Sequence, residues 1–221
     1  MKTFTAAAAI CLVLLGLGAS AAGAAEFKAA SYPVTVLGNQ GGSHVAAPPA
    51  GTTTSYMYFG FEGTLMGGCE FISFGQQMTK AASSLTVTPS LSECAAFGSQ
   101  SGTITTNGCQ NRFNITSKSG AEFLGTLDII CPEGSKIAVV GNNCEIQIGS
   151  QTNLSTVHLR NETQETDPQV AMELQISNLA YTKTKDGFLC PLSGTGAMSS
   201  GLLVAGMTLE AKEATNALRI E

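Results

Sequence analysis

The sequence predicts an all-β protein, an antiparallel β-sandwich or barrel-like fold stapled by disulfides. Three observations carry that prediction. Apolar and polar residues alternate with period two in one short run after another, Gly, Asn, Ser and Pro punctuate the runs, and six cysteines follow an export-type leader. Period-two alternation sends successive side chains to opposite faces of a strand, whereas a helix needs apolar recurrence every three to four residues. Many short runs separated by turn residues are the pattern of sandwiches and barrels.

The chain opens with Met1-Lys2, an apolar run at 6–18 (AAAAICLVLLGLG) and a small-residue stretch at 19–25 (ASAAGAA). A charged start, a short apolar stretch and an A-x-A-like site are the three parts of a secretory signal peptide. Residues 1–25 are therefore expected to be removed, leaving a mature chain that starts near Ala25 or Glu26. The apolar run is shorter than the roughly 20 residues a membrane helix needs. The protein is expected to be secreted, extracellular or associated with the cell envelope. Residues 26–221 are expected to form a single all-β domain.

Strand-like alternation begins at 32–37 (YPVTVL) and recurs at 85–88, 104–105, 137–140, 145–148, 156–160 and 170–176. Residues 38–55 (GNQGGSHVAAPPAGTTTS) gather Gly41-Gly42, Pro48-Pro49 and Gly51 and are expected to form a long loop. Helical periodicity shows only at 209–218 (LEAKEATNAL), so residues 210–221 are expected to be a tail or a short helix.

Cys11 lies inside the leader, which leaves Cys69, Cys94, Cys109, Cys131, Cys144 and Cys190. An even count behind an export signal reads as a disulfide framework formed in an oxidising compartment. Gly67-Gly68, Asn107-Gly108 and Asn142-Asn143 each precede a cysteine and read as turns feeding a strand, while Cys131 and Cys190 precede Pro132 and Pro191 and read as strand ends. Six cysteines allow fifteen connectivities. Spacing favours Cys131–Cys144 around the short run 137–140 and Cys69–Cys94 around a strand–loop–strand unit, leaving Cys109–Cys190. No C-x-x-C pair occurs and the chain has only two histidines, so zinc spacing is absent.

Catalytic chemistry finds no foothold, and no catalytic, cofactor or metal residue is assigned. Residues 98–102 (GSQSG) centre on Gln100, not on a serine elbow. His158 sits within an alternating run and His44 within the Gly/Pro-rich loop, both reading as solvated positions. Glycoside hydrolysis needs two acids flanking a cleft. Glu62 and Glu70 bracket a Gly-rich hairpin-like stretch and Glu173 lies on an alternating run, but any acidic β-protein yields such candidates by chance and no pair is assigned. Asp128, Asp167 and Asp186 are scattered and form no calcium loop. Sequons occur at Asn114, Asn153 and Asn161. The net charge of −5 argues against nucleic acid as a partner.

Four stretches carry a family likeness: 92–98 (SECAAFG), 106–109 (TNGC), 144–151 (CEIQIGSQ) and, most distinctively, 186–196 (DGFLCPLSGTG). In these the chain resembles a group of exported, six-cysteine, β-rich proteins of actinobacteria without assigned function. The resemblance implies a bacterial, extracellular, disulfide-bonded β-fold and transfers no activity.

The expectation for function is thus a non-catalytic structural or binding module of the extracellular space or cell envelope. A sugar-binding module is the alternative, and an unrecognised secreted hydrolase a more distant one. Sugar platforms stack on exposed aromatics, and Tyr56, Tyr58, Phe59 and Phe61 are the one aromatic cluster, with alternate members more readily read as core. Cell-envelope or glycan contact is the partnership expected, the glycan half resting on that cluster.

Overall fold

A computed structural model describes residues 24–39, 57–98, 102–162, 168–188, 190–193, 196–213 and 216–221. The expected signal peptide and most of the expected 38–55 loop lie outside the described residues; Gly38 and Asn39 end a strand. Fifteen strands and no helix occur among the described residues: β1 (Phe27–Ala29), β2 (Val34–Asn39), β3 (Met57–Phe61), β4 (Thr64–Met78), β5 (Ser84–Val87), β6 (Ser90–Ala96), β7 (Thr103–Thr105), β8 (Gln110–Ser119), β9 (Glu122–Ile130), β10 (Ile137–Gly141), β11 (Cys144–Ile148), β12 (Gln151–Glu162), β13 (Gln169–Asp186), β14 (Gly196–Ala211) and β15 (Leu218–Ile220). The all-β, antiparallel prediction therefore holds.

Long strands organise the molecule because their partners change part-way along. β14 flanks β13 on one side, while the other side pairs with β12 near Val170 and with β11 near Lys183. The sheet forks there into β12–β9–β8–β5 and β11–β10–β7. On the far side of β14, β2 and β3 lie end to end in one strand position, each paired with β14 and with β4. β6 then flanks β4.

Burial follows the same division. Val170, Met172, Leu174 and Ile176 are buried in the first half of β13, then Leu179, Tyr181 and Lys183, with the switch of parity at the irregular pairing after Ile176. A bulge adds a residue without turning the sheet over, so alternation changes phase while the core continues. The buried residues form one continuous cluster.

The sheet curls without closing. β6 and β7 touch but share no ladder. The end of β10 also lies tight against β6 because Gly141 lacks a side chain: a Cβ there would lie 2.5 Å from the Ala96 carbonyl oxygen. Asn142 donates from its side-chain amide to the Phe97 carbonyl across the same seam.

Three sequence expectations change. The 210–221 tail is not helical in its described residues. Ala211 ends β14, Lys212 N–H donates to Thr35 O, and Leu218 and Ile220 are buried about exposed Arg219 in β15, which pairs with β1. Gly67-Gly68 is no turn but lies inside β4. Asn107-Gly108 and Asn142-Asn143 do turn, all four residues having positive φ, which Asn and Gly tolerate best.

The disulfides are Cys69–Cys94, as spacing favoured, with Cys109–Cys131 and Cys144–Cys190 in place of the expected Cys131–Cys144 and Cys109–Cys190. Ladder register decides the pairing. β8 and β9 form a hairpin in which Gln110 faces Ile130, so Cys109 and Cys131 meet one step further out. Cys144 faces Asp186 at the end of β13, and the chain then doubles back at Gly187, whose N–H donates to Asn143 O, bringing Cys190 to Cys144.

Candidate binding pocket

Residue sizes along two adjacent ladders make a pocket on the β3–β4–β6 sheet. Tyr58 faces Gly68 on β4, and Gly68 faces Ala95 on β6; the next row is Phe59, Gly67 and Ala96. Placing glycine and alanine beside a tyrosine leaves space that larger side chains would fill. Leu65, Met66 and Gly98 complete the lining of an open pocket of about 180 Å³.

Behind this pocket lies aromatic core. Phe61 packs on Tyr181 with ring centroids 4.7 Å apart, and on Phe59 and Phe97 at 6.4 and 6.5 Å. Tyr58 itself is 4% exposed, and its hydroxyl is buried without a hydrogen-bond partner. Buried tyrosine hydroxyls ordinarily find a partner, and one left without costs about 1–3 kcal/mol.

Several ionisable groups are committed elsewhere. Asp128 accepts at Oδ2 from Arg112 Nη2 at 2.7 Å, Arg112 Nε at 3.0 Å and Asn114 Nδ2 at 3.1 Å, and at Oδ1 from the Asn153 backbone N–H at 2.8 Å. Burial alone would push this carboxyl up, but the Asn153 N–H and the Arg112 and Asn114 side chains outweigh it and hold it below the usual value. The cluster fastens the irregular start of β12 to β8 and β9.

Lys183, buried, donates to Leu192 O at 2.9 Å and pairs with Asp186 at 3.0 Å. Glu62 accepts from the Ser193 N–H and hydroxyl. Both contacts fasten the loop that carries Cys190. On the surface, Glu93 is held above the ordinary glutamate range by a hydrogen bond with Glu70, with desolvation and the Glu70 charge adding to it.

The candidates read from sequence separate rather than converge. His158 Nδ1 lies 3.2 Å from Glu122 on the β9–β12 ladder. His44, Tyr56 and Asp167 lie outside the described residues. Tyr58, Phe59 and Phe61 are all buried, so these three offer no stacking platform; Phe71 and Phe188 are the large apolar side chains exposed among the described residues. Two sequon asparagines hold internal bonds: Asn114 with Asp128, and Asn161 with both the N–H and carbonyl of Ile220. No cluster of three or more His, Cys, Asp or Glu suited to a metal occurs among the described residues. A second, more polar pocket of about 350 Å³ lies between the Gly134–Lys136 turn and Gln147; there Asn107 donates to Lys136 O.

Sequence reasoning missed the Tyr58 pocket because Tyr58, Gly68 and Ala95 are neighbours only through strand register. The one local signal was Gly67-Gly68 within an otherwise strand-like run. Comparison with known protein families, characterised proteins and solved structures finds no match.

Proposed function

We propose that this chain is an exported, non-catalytic module of the extracellular space or cell envelope, acting as a durable structural or binding element. The observation that carries the reading is the disulfide framework, whose three bridges join stretches 25, 22 and 46 residues apart. Bridges closing loops of those lengths suit an oxidising compartment and a protein exposed to proteases. Commitment of Asp128, Lys183 and Glu62 to holding loops and strands supports the non-catalytic half. No helix among the described residues is long and apolar enough to cross a membrane. The resemblance to exported actinobacterial proteins supports the same reading.

Expression of the full chain in an actinobacterial host, with cell fractionation and non-reducing mass mapping, tests export and oxidation together. A panel of glycosidase, esterase and peptidase substrates tests the rest. Retention of the intact, reduced chain in the cytoplasm, or turnover abolished by one point substitution, would overturn the proposal.

A further inference from the structure

We infer that Phe188 is the stacking face of a binding site for a neutral glycan, with Asp186 and Asn143 placed for the hydroxyls of the same sugar. The inference deepens the binding half of the proposed function and rests on it. Phe188 is 101% exposed, against 43% for Phe71, so its ring stands clear of the protein. The backbone that carries it is nonetheless held. Gly187 N–H donates to Asn143 O and Cys190 N–H to Gly187 O, both at 2.9 Å, and Cys190 is bonded to Cys144. Just beyond the disulfide, Leu192 O accepts from Lys183 and the Ser193 N–H donates to Glu62. A ring on a turn fastened in this way loses little freedom when it binds, which is the gain of preorganisation.

The groups around the ring select the ligand. The Asp186 side chain is half exposed, and its carboxylate accepts hydroxyl donors while Lys183 Nζ lies 3.0 Å from Oδ1. Exposed Asn143 offers an amide donor and acceptor. A Cβ at Gly187 would overlap that of Asn143, so the asparagine stands directly against the turn. The face of an aromatic ring is electron-rich and attracts the polarised C–H face of a pyranose, whose hydroxyls then project sideways towards such polar groups. An apolar protein or lipid surface would instead strip water from Asp186 and Asn143 and return no hydrogen bond. Protein hot spots also lie inside a ring of contacts that exclude water, and a lone aromatic at a turn has none. Asp186 is paired with Lys183, and Lys185 faces Glu145 across the β11–β13 ladder, so the charges balance and the sugar is neutral.

The test is backbone amide NMR of the oxidised protein titrated with cellotetraose, N-acetylated chitotetraose and mannotetraose. Saturable shifts are expected at Asn143, Gly187 and Cys190 with at least one of these sugars. Phe188→Ala is expected to weaken that binding roughly 10-fold, the equivalent of about 1.4 kcal/mol of lost apolar contact. Its melting temperature is expected to stay at the wild-type value, because the ring packs on nothing. Phe188→Tyr is expected to keep the binding, and Phe71→Ala to leave it unchanged. Phosphatidylcholine vesicles serve as the competing probe. Absence of saturable shifts with all the sugars, undiminished binding in Phe188→Ala, or vesicle binding that depends on Phe188 would each overturn the inference. A lowered melting temperature in Phe188→Ala would do the same, by showing the ring to be packed. Failure here leaves export, oxidation and lack of turnover to be judged by their own assays.

Discussion

Replacing Asp128 by Asn tests whether a satisfied buried carboxylate holds the start of β12 in place. The substitution keeps the volume, and an amide oxygen can still accept from the Asn153 N–H. At the other position an NH2 group would face Arg112 Nε, Arg112 Nη2 and Asn114 Nδ2, so three donors lose their acceptor. Hydrogen bonds to charged groups contribute about 1.5–3 kcal/mol each when protected from water. The Arg112 side chain is 41% exposed while that of Asp128 is 5% exposed, so water replaces part of what Arg112 loses. The net cost is then roughly 2–4 kcal/mol, most of it desolvation left without return. For a domain of this size that is a fall of roughly 4–16 °C in Tm, on a scale of about 2–4 °C per kcal/mol.

Linkage gives the same substitution a second readout. A carboxyl with a depressed folded pKa stabilises the fold above its unfolded value of 3.8, and that stabilisation is lost as pH falls through the lower folded value. Urea midpoints of wild type and Asp128→Asn should therefore differ most near pH 7 and converge in strong acid. A gap under about 0.5 kcal/mol at pH 7, the ordinary scatter of surface substitutions, would refute the reasoning. So would a gap that does not shrink in acid.

Three further outcomes follow from the packing. Replacing Cys144 and Cys190 together by serine reopens a 46-residue loop and should cost about 4 kcal/mol by loop-closure entropy, against about 3.4 kcal/mol for Cys109 with Cys131, in denaturant titrations under non-reducing conditions; a Cys131–Cys144 peptide on mapping would contradict the register argument. Gly141→Ala drives a methyl to 2.5 Å from the Ala96 carbonyl oxygen and should destabilise by roughly 1–3 kcal/mol with faster amide exchange along β7 and β10, whereas an unchanged Tm would show that the contact between β10 and β6 is loose. Glu93 binds its proton more tightly folded than unfolded, so the wild-type fold gains stability as pH falls through the raised value and forgoes it above; Glu93→Gln should remove that dependence and match or exceed wild type at neutral pH, and a variant less stable there would reverse the assignment.

What the sequence could disclose was set by how local each signal is. Alternation at 145–148 and 170–176 depends on neighbours two apart, and both runs are strands. The helix-like string 209–218 misled because Ala211, Ala214 and Leu218 recur at i, i+3 and i+7, yet Leu209 and Ala211 finish a strand held by β13 and β2. Backbone hydrogen bonds to two flanking strands outweigh the few tenths of a kcal/mol per residue by which helix propensity favours Ala, Glu or Lys. The Tyr58 pocket was beyond reach for a different reason: its bounding residues share no segment, and only strand register brings them together.

The disulfides show where a non-local feature does become legible. Gly120 and Ala121 form the two-residue turn of the β8–β9 hairpin, with Gly120 at φ 64° and Ser119 facing Glu122. Counting outward from that turn, one irregularity between Ile115 and Ser117 absorbs a residue, Phe113 faces Leu127, and Gln110 faces Ile130. Cys109 and Cys131 are then opposite each other without any further assumption. Spacing alone favoured Cys131 with Cys144 because they flank a short apolar run, but β10 begins six residues after Cys131 and pairs with β7 and β11, not with β9. The better rule for such chains is to locate the hairpin turn first and read cysteine partners from register. By that rule Cys69 and Cys94, which face each other directly across β4 and β6, and Cys109 with Cys131 are determined by ladders, while Cys144–Cys190 depends on the Gly187 reversal that no ladder encodes.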